Sequence, residues 1–392
     1  MGPQTPLLQP VTNSKQLFVH GKPFLMRAAE LQNSSLSSAD YMRGIWPRLV
    51  GANINTVLGS VTGEQIEPEE GSFDFSEVTK IVQDAREHNL HLVLLWFGRE
   101  KDGLRKTRSN FRVRSCAKKA GGGGQLGTYP SGGGVINVPD IRLSFAPSLA
   151  MISPDIYLNN YRATCEKYRH RSQPLFIPEQ RRDEYGARRI WAAFGSFQAL
   201  GTAPFGIDTL ELDDNPFRKH YGLLAKVSHH VLEAQRSLGT SIGFFFDELR
   251  PSGDDPSPPI TVVFDSWKLQ IERSFVFGKP GPGVGMVIHK GGARFLLIGE
   301  GFQVKFSSTS PKSVFTGILK SVEKEVVNEE TGEMRSLRIL GGDETRRGQA
   351  AVMPAENPDY GSFPISITIP ANTRIAECEV YALEEEAVHL LN

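Results

Sequence analysis

Glu179 is the residue whose surroundings most directly suggest chemistry. Three apolar residues, 175–177, precede it and predict a short buried strand. Pro178 ends that strand, because proline cannot donate to a sheet ladder. Enzymes with α/β barrels hold their catalytic groups at the carboxyl ends of the strands. A carboxylate at such a position, here Glu179, is therefore a candidate catalytic residue. The alternative is that Glu179 pairs with Arg181 or Arg182 as a solvated charge at the start of the helix predicted to follow.

The length and composition bound what the chain can be. It has 392 residues, of which 39% are hydrophobic, so it can bury a large core and is long enough for two domains. Lys and Arg together number 44, as do Asp and Glu, which gives a formal net charge of zero. A neutral chain gives no reason to expect a nucleic-acid partner or attraction to a membrane surface.

Cysteine usage and the apolar runs bear on location and cofactors. Cys116, Cys165 and Cys378 are widely spaced, so they predict neither a disulfide framework nor a metal site and favour a reducing compartment. Residues 1–10 contain three prolines and lack the apolar core of a signal peptide, and the run at 92–97 is too short to span a bilayer. We therefore expect a cytoplasmic protein with no membrane partner and no cofactor.

The first 238 residues alternate between predicted strands and helices, which is typical of parallel βα units. Six strands are predicted, near residues 24–28, 54–58, 91–97, 150–157, 174–178 and 201–207. A closed (β/α)₈ barrel needs eight strands, so the sequence predicts an incomplete TIM-type barrel. The break falls at residues 99–134, a stretch that is basic and then glycine-rich and is predicted to be irregular or disordered.

After residue 238 the pattern changes to short strands rich in Val, Ile and Phe, separated by Gly and Pro turns. That spacing predicts an antiparallel β-sandwich. The fold class is therefore α/β plus all-β, with domains at residues 1–238 and 239–392. Before the boundary, His229 and His230 lie on a predicted helix; with no second cluster of ligand residues, we interpret them as helix surface and packing, not as a metal site.

An ordered series of motifs runs through the first domain. Two of them read Glu30-Leu31-Gln32-Asn33-Ser34-Ser35 and Phe176-Ile177-Pro178-Glu179; the others lie at residues 23–26, 45–49, 55–58, 64–75, 94–98, 146–148 and 153–157. The series resembles family-35 glycoside hydrolases, the β-galactosidase-type enzymes, in the branch that carries a C-terminal β-domain. The resemblance covers most of residues 17–98 and 127–385.

The resemblance implies hydrolysis of terminal β-galactosides with retention of configuration, and a carbohydrate as the partner. A retaining glycosidase uses two carboxyl groups about 5–5.5 Å apart, one as nucleophile and one as acid and base. Glu179 matches the family's nucleophile motif at the end of the seventh strand. Tyr157, at the preceding strand end, is expected to hydrogen-bond that carboxylate and keep it ionised.

Further residues at strand ends are candidates for binding the sugar. Glu30, Asn33 and Glu64 are placed to bind hydroxyl groups, Trp96 to offer an apolar platform for a sugar face, and Asp155 to join them at the end of its strand. For Glu30, Asn33 and Glu64, loop capping and salt pairing are the structural alternatives.

The sequence also departs from the family's pattern. The family's acid/base Glu ends the fourth strand in an Asn-Glu motif, and no such motif stands between Phe97 and Ser153. The pair Asn328-Glu329 lies in the β-domain and is rejected. Since removing general-acid assistance costs on the order of 10²–10⁴ in rate, impaired activity is expected. The alternatives are a non-catalytic carbohydrate-binding protein and a truncated gene product.

Overall fold

The computed structural model describes residues 5–97, 115–117, 140, 144–145, 149–157, 160–274 and 277–385. The chain forms two compact units. One comprises residues 1–193 and 197–225, and the other residues 194–196 and 226–392. The domain division at residue 238 stays a prediction. Among the described residues, no helix has the length and apolar character needed to cross a bilayer.

The first unit opens with a small antiparallel sheet of β1 (Leu7–Val11), β2 (Ser14–Val19) and β3 (Lys22–Pro23). A larger sheet follows, made of β4 (Met26–Glu30), β5 (Thr56–Thr62), β6 (His91–Phe97), β7 (Ser115–Ala117), β8 (Ser153–Ile156), β9 (Ile177–Gln180) and β10 (Gly201–Pro204). Its strand order is β6-β5-β4-β10-β9-β8-β7, and every neighbouring pair is parallel. All carboxyl ends of these strands therefore lie along one edge of the sheet.

This sheet confirms the predicted fold class. All six expected strands are present, and β10 pairs with β4, as the last and first strands of a barrel do. The sheet is open between β6 and β7 in the described part of the chain. Strand β7 lies inside the stretch predicted to be irregular; three residues are too few to leave a periodic signal. Most of that stretch lies outside the described residues.

The helices of the first unit connect its strands. They are α1 (Ala39–Met42), α2 (Trp46–Gly51), α3 (Gly63–Ile66), α4 (Ser76–Glu87), α5 (Tyr161–Tyr168), α6 (Glu184–Gly195) and α7 (Phe217–Lys226), with short 3₁₀ turns at Ser35–Ser37 and Ile207–Thr209. Tyr221 on α7 anchors that helix to the sheet, since its hydroxyl lies 2.7 Å from the Thr202 carbonyl oxygen and 2.9 Å from that of Ala28. Ala28 and Ala203 are fully buried, so the sheet is closely packed around β10.

The second unit holds α8 (Ser228–Ala234) and two antiparallel sheets. One sheet has the order β11-β14-β15-β20-β17-β18 and the other β12-β13-β16-β19. The strands are β11 (Ser241–Phe246), β12 (Ile260–Phe264), β13 (Trp267–Arg273), β14 (Gly283–His289), β15 (Arg294–Glu300), β16 (Phe302–Ser308), β17 (Ser313–Asn328), β18 (Glu333–Ile339), β19 (Ala350–Met353) and β20 (Ile375–Glu384); a 3₁₀ segment covers Gly342–Gly348. Phe244, Phe295 and Phe302 form part of one core to which both sheets contribute, as in the predicted sandwich.

Candidate active site

Three carboxyl groups lie at the carboxyl ends of the parallel strands. Glu30 ends β4, Asp155 lies near the end of β8, and Glu179 lies near the end of β9. Asp155 and Glu179 are register partners, so their side chains leave the same face of the sheet. Glu30 is bridged to Phe205, which directly follows β10, the strand between β4 and β9. The topology thus brings together three acids that are far apart in the sequence.

Glu179 is half-buried and accepts a hydrogen bond from the hydroxyl of Tyr157. This is the contact expected from their strand ends. Burial, and then the bond to Glu179, raise the pKa of Tyr157 well above its ordinary value, so the phenol stays protonated and donates. A hydrogen bond to a charged group is worth about 1.5–3 kcal/mol, so it holds the carboxylate in one orientation.

The alternative pairing of Glu179 with the arginines that follow it is not what the structure contains. Arg181 forms an ion pair with Asp183. Arg182 donates to the carbonyl oxygen of Gly206 at 2.6 Å. Both arginines are therefore used to hold the start of α6 and the loop after β10, and the described partner of Glu179 is the Tyr157 hydroxyl.

Glu30 has a strongly perturbed carboxyl group. Its side chain is buried, and its pKa is raised from 4.5 to about 9, first by burial and then by the nearby carboxyl groups of Glu179 and Asp155. Glu30 is therefore a neutral carboxylic acid at pH 7, and a neutral acid can donate a hydrogen bond or a proton. A protonated carboxyl close to an ionised one is the pairing that acid–base chemistry needs.

Asp208, in the 3₁₀ turn after β10, ties that turn to the loop after β4. Its carboxylate accepts from the Ser35 hydroxyl at 2.6 Å and from the Gln32 backbone N–H at 3.1 Å. The loop after β4 is thereby fixed to the loop after β10. Glu30 is the last residue before the first of these loops and is bridged to Phe205 in the second. The sequence alone does not assign a role to Asp208; a carboxylate directly after a predicted strand end is the signal that could have found it.

The described hydrogen bonds and ion pairs do not link the other predicted binding residues to the three carboxyl groups. Asn33 is exposed in the loop after β4 and accepts a 3.3 Å hydrogen bond from Ser60 of β5. Glu64 is exposed in the first turn of α3, where an acidic residue also suits the helix dipole. Trp96 belongs to β6, but its side chain lies outside the described residues, as does most of the segment between β6 and β8 where a fourth-strand acid would lie. A binding role for Asn33, Glu64 and Trp96 stays a prediction.

Residues 217–352 match a family model described as a domain of unknown function (DUF5597). No curated protein matches the sequence.

Several solved structures resemble the chain. One titled only as a glycoside hydrolase has a TM-score of 0.42 and 8% identity over 97% of both chains. A family 39 glycoside hydrolase from Bacteroides cellulosilyticus WH2 has a TM-score of 0.40 and 8% identity, over 94% of this chain and 84% of its own. A GH30 endoxylanase from Clostridium papyrosolvens C71 has a TM-score of 0.39 and 8% identity, over 92% and 97%. Identities and scores this low identify neither a family nor an activity, and none of these matches singles out family 35.

Proposed function

We propose that the protein is a glycoside hydrolase that cleaves terminal β-galactosides with retention of configuration, using Glu179 as the nucleophile. The observation that carries the proposal is the Tyr157–Glu179 hydrogen bond inside a cluster of carboxyl groups at the carboxyl ends of parallel strands. That edge is where enzymes with parallel βα barrels hold their catalytic groups. The choice of β-galactosides rests on the family-35 motifs alone.

In this proposal the Glu179 carboxylate attacks the anomeric carbon as the bond to the leaving oxygen breaks. The leaving oxygen takes a proton, and water then hydrolyses the glycosyl ester while giving up a proton, which restores both groups. Glu30 is the candidate proton donor, because it is neutral at pH 7 and lies close enough to Glu179 for their charges to interact. This assignment differs from the sugar-binding role predicted for Glu30, and it supplies the acid that the sequence lacks at the fourth strand.

The first test is turnover of nitrophenyl glycosides, with the anomer of the first product followed by NMR. We expect the β-galactoside to be cleaved in preference to the β-glucoside and the α-galactoside, with β-galactose released first. Release of α-galactose first would mean inversion and would remove the nucleophile role of Glu179.

A non-catalytic carbohydrate-binding protein is the second candidate function, favoured by the missing Asn-Glu motif. Binding of galactose measured by calorimetry, without turnover, would support it.

The contact between Tyr157 and Glu179 gives a second prediction. Tyr157→Phe removes one hydrogen bond to a charged group, so kcat/KM is expected to fall about 10- to 100-fold with an unchanged thermal transition. Tyr41→Phe is the matched control, since Tyr41 is 56% exposed on α1. Equal kcat/KM for Tyr157→Phe and the wild type would show that this hydrogen bond does not serve turnover.

A further inference from the structure

The helix α8 gathers three potential metal ligands in the second unit. His229 Nδ1 and His230 Nδ1 each lie 3.8 Å from the same carboxylate oxygen of Glu233. One ligand atom from each of the three residues falls within 4.8 Å of the others. In a tetrahedral zinc site with bonds of about 2.0–2.1 Å, ligand atoms lie about 3.3 Å apart. Each His–Glu233 pair thus needs to close by about half an ångström, and no pair of ligand atoms by more than about 1.5 Å, to bind one ion.

Burial makes this cluster different from solvated helix surface. The His230 side chain is 8% exposed. His229 Nδ1, the atom that faces Glu233, is buried and has no hydrogen bond of normal geometry within the described structure. A buried polar nitrogen without a partner costs about 1–3 kcal/mol, and such atoms in native structures call for an explanation.

The turn before β18 packs directly over the two imidazoles. Gly332 has a positive φ of 70°, and a Cβ there would lie 2.6 Å from His229 Nδ1 and 3.0 Å from His230 Cε1. No side chain larger than hydrogen fits at this position, which places the backbone of residue 332 against the ligand atoms. The histidine pair is thus covered from one side by main chain, which limits the access of water to it.

Lys290 opposes the binding of a cation at this cluster, because its own ammonium group is positively charged. Its Nζ lies 3.5 Å from His230 Nδ1 and 3.4 Å from the Glu233 carboxylate. The ammonium therefore stands beside two of the three groups and partly neutralises the carboxylate. The Lys290 side chain is 29% exposed and flexible, so it can move into solvent when a stronger cation arrives.

We propose that His229, His230 and Glu233 form a binding site for a divalent transition metal of the zinc type, and that Lys290 occupies the site's edge in the metal-free protein. Two imidazole nitrogens and one carboxylate oxygen suit Zn²⁺ and not Mg²⁺ or Ca²⁺, which prefer oxygen ligands. From the sequence alone, His229 and His230 are interpreted as packing residues. In the structure Glu233, one helical turn further along α8, adds a third ligand to this pair.

Calorimetric titration of the EDTA-treated full chain with zinc chloride tests the proposal, with the thermal transition measured in parallel. We expect one equivalent to bind, the transition to rise, and magnesium chloride to have no effect. Glu233→Gln and His229→Ala are each expected to weaken zinc binding at least about tenfold, since even outer-shell partners contribute that much. Lys290→Met is expected to tighten it, because a competing cation is removed.

His170→Gln is the matched control, because His170 is also 34% exposed and also pairs with a carboxylate, that of Asp140. Unchanged zinc affinity in both Glu233→Gln and His229→Ala, or a loss in His170→Gln as large as theirs, would overturn the proposal. So would a wild type that binds no zinc at tenfold excess. Glu233 is half exposed, so its substitution leaves the fold intact and keeps the test interpretable if His229→Ala misfolds.

Discussion

Glu179→Gln is expected to reduce the turnover of an aryl β-galactoside by about a thousandfold or more, with the fold unchanged. The amide has nearly the same shape as the carboxylate, but it cannot attack the anomeric carbon to form the covalent intermediate. Single nucleophile substitutions in enzymes that use covalent catalysis have effects of this size or larger. The measurement is kcat on nitrophenyl β-galactoside, with a thermal melt to check folding.

Glu211→Gln is the matched control for that experiment. Glu211 pairs with Arg48 at the surface, and its side chain is 74% exposed, so the same chemical change there should leave kcat and the melt unaltered. Full activity in Glu179→Gln would mean that another carboxyl forms the intermediate. Asp155 would then be the next residue to test, because it is the register partner of Glu179.

Glu30→Gln is expected to stabilise the protein at pH 7.5 and to leave its stability nearly unchanged at pH 5. The pKa of Glu30 rises from 4.5 in the unfolded chain to about 9 in the folded protein. Between these values the folded state holds a proton that the unfolded state has released, so the free energy of unfolding falls as pH rises. The glutamine carries no such proton and avoids this loss, which is roughly 2–4 kcal/mol at pH 7.5.

Thermal unfolding at the two pH values measures this effect. We expect the transition of Glu30→Gln to exceed that of the wild type by roughly 5–15 °C at pH 7.5 and by much less at pH 5. Glu87→Gln, an exposed site on α4, is the control and should show no pH-dependent difference. A shift of equal size at both pH values would mean that Glu30 is ionised in the folded protein and would remove it as the candidate proton donor.

The same variant also addresses the chemistry. If Glu30 protonates the leaving oxygen, Glu30→Gln should slow the cleavage of alkyl galactosides by about 10²–10⁴ and that of nitrophenyl galactosides much less. Nitrophenolate leaves without needing a proton, so the difference isolates the acid's role. A more stable and less active variant would be an instance of the cost that a functional site imposes on folding.

The sequence predicted the elements with strong periodicity and missed the places where a local residue overrides it. The sequence of residues 39–50 predicts one helix, but the structure has two, because Gly44 interrupts the segment and Pro47 favours a new start at α2. The apolar stripe over residues 216–237 likewise predicts one helix, but the structure divides it into α7 and α8, and Val227 leaves helical geometry at φ −97° and ψ 8°. Two consecutive helices that each carry apolar residues at the helical period give the same sequence pattern as one longer helix.

The β-rich half shows the same limits. Taken strand by strand, the sequence pattern after residue 238 does not single out β11 at residues 241–246, although β11 pairs with β14 along its full length. The alternating apolar residues at 365–369 predict a further strand, but the structure has none there, because Pro364 and Pro370 flank the segment and cannot donate to a ladder. Alternating apolar residues alone did not separate these two cases.

At the candidate site, the sequence identified residues but not their protonation states. Glu179 and Tyr157 could be chosen because each follows a recognisable strand, and parallel strands place such residues at one edge. The neutral form of Glu30 could not be foreseen, because its causes are burial and the charges of Glu179 and Asp155, which only the folded sheet brings near. Long-range electrostatics of this kind leaves no local signal in a sequence.

The pairing of β10 with β4 has a consequence for biosynthesis. Gly201 lies beside Met26, so two residues separated by about 175 positions are neighbours in the sheet. A ribosome adding about 5–20 residues per second needs roughly 9–35 s to make the chain between them. Throughout that interval one side of the emerging β4 lacks its final partner, so the nascent polypeptide must be kept from mispairing until its last parallel strand leaves the exit tunnel.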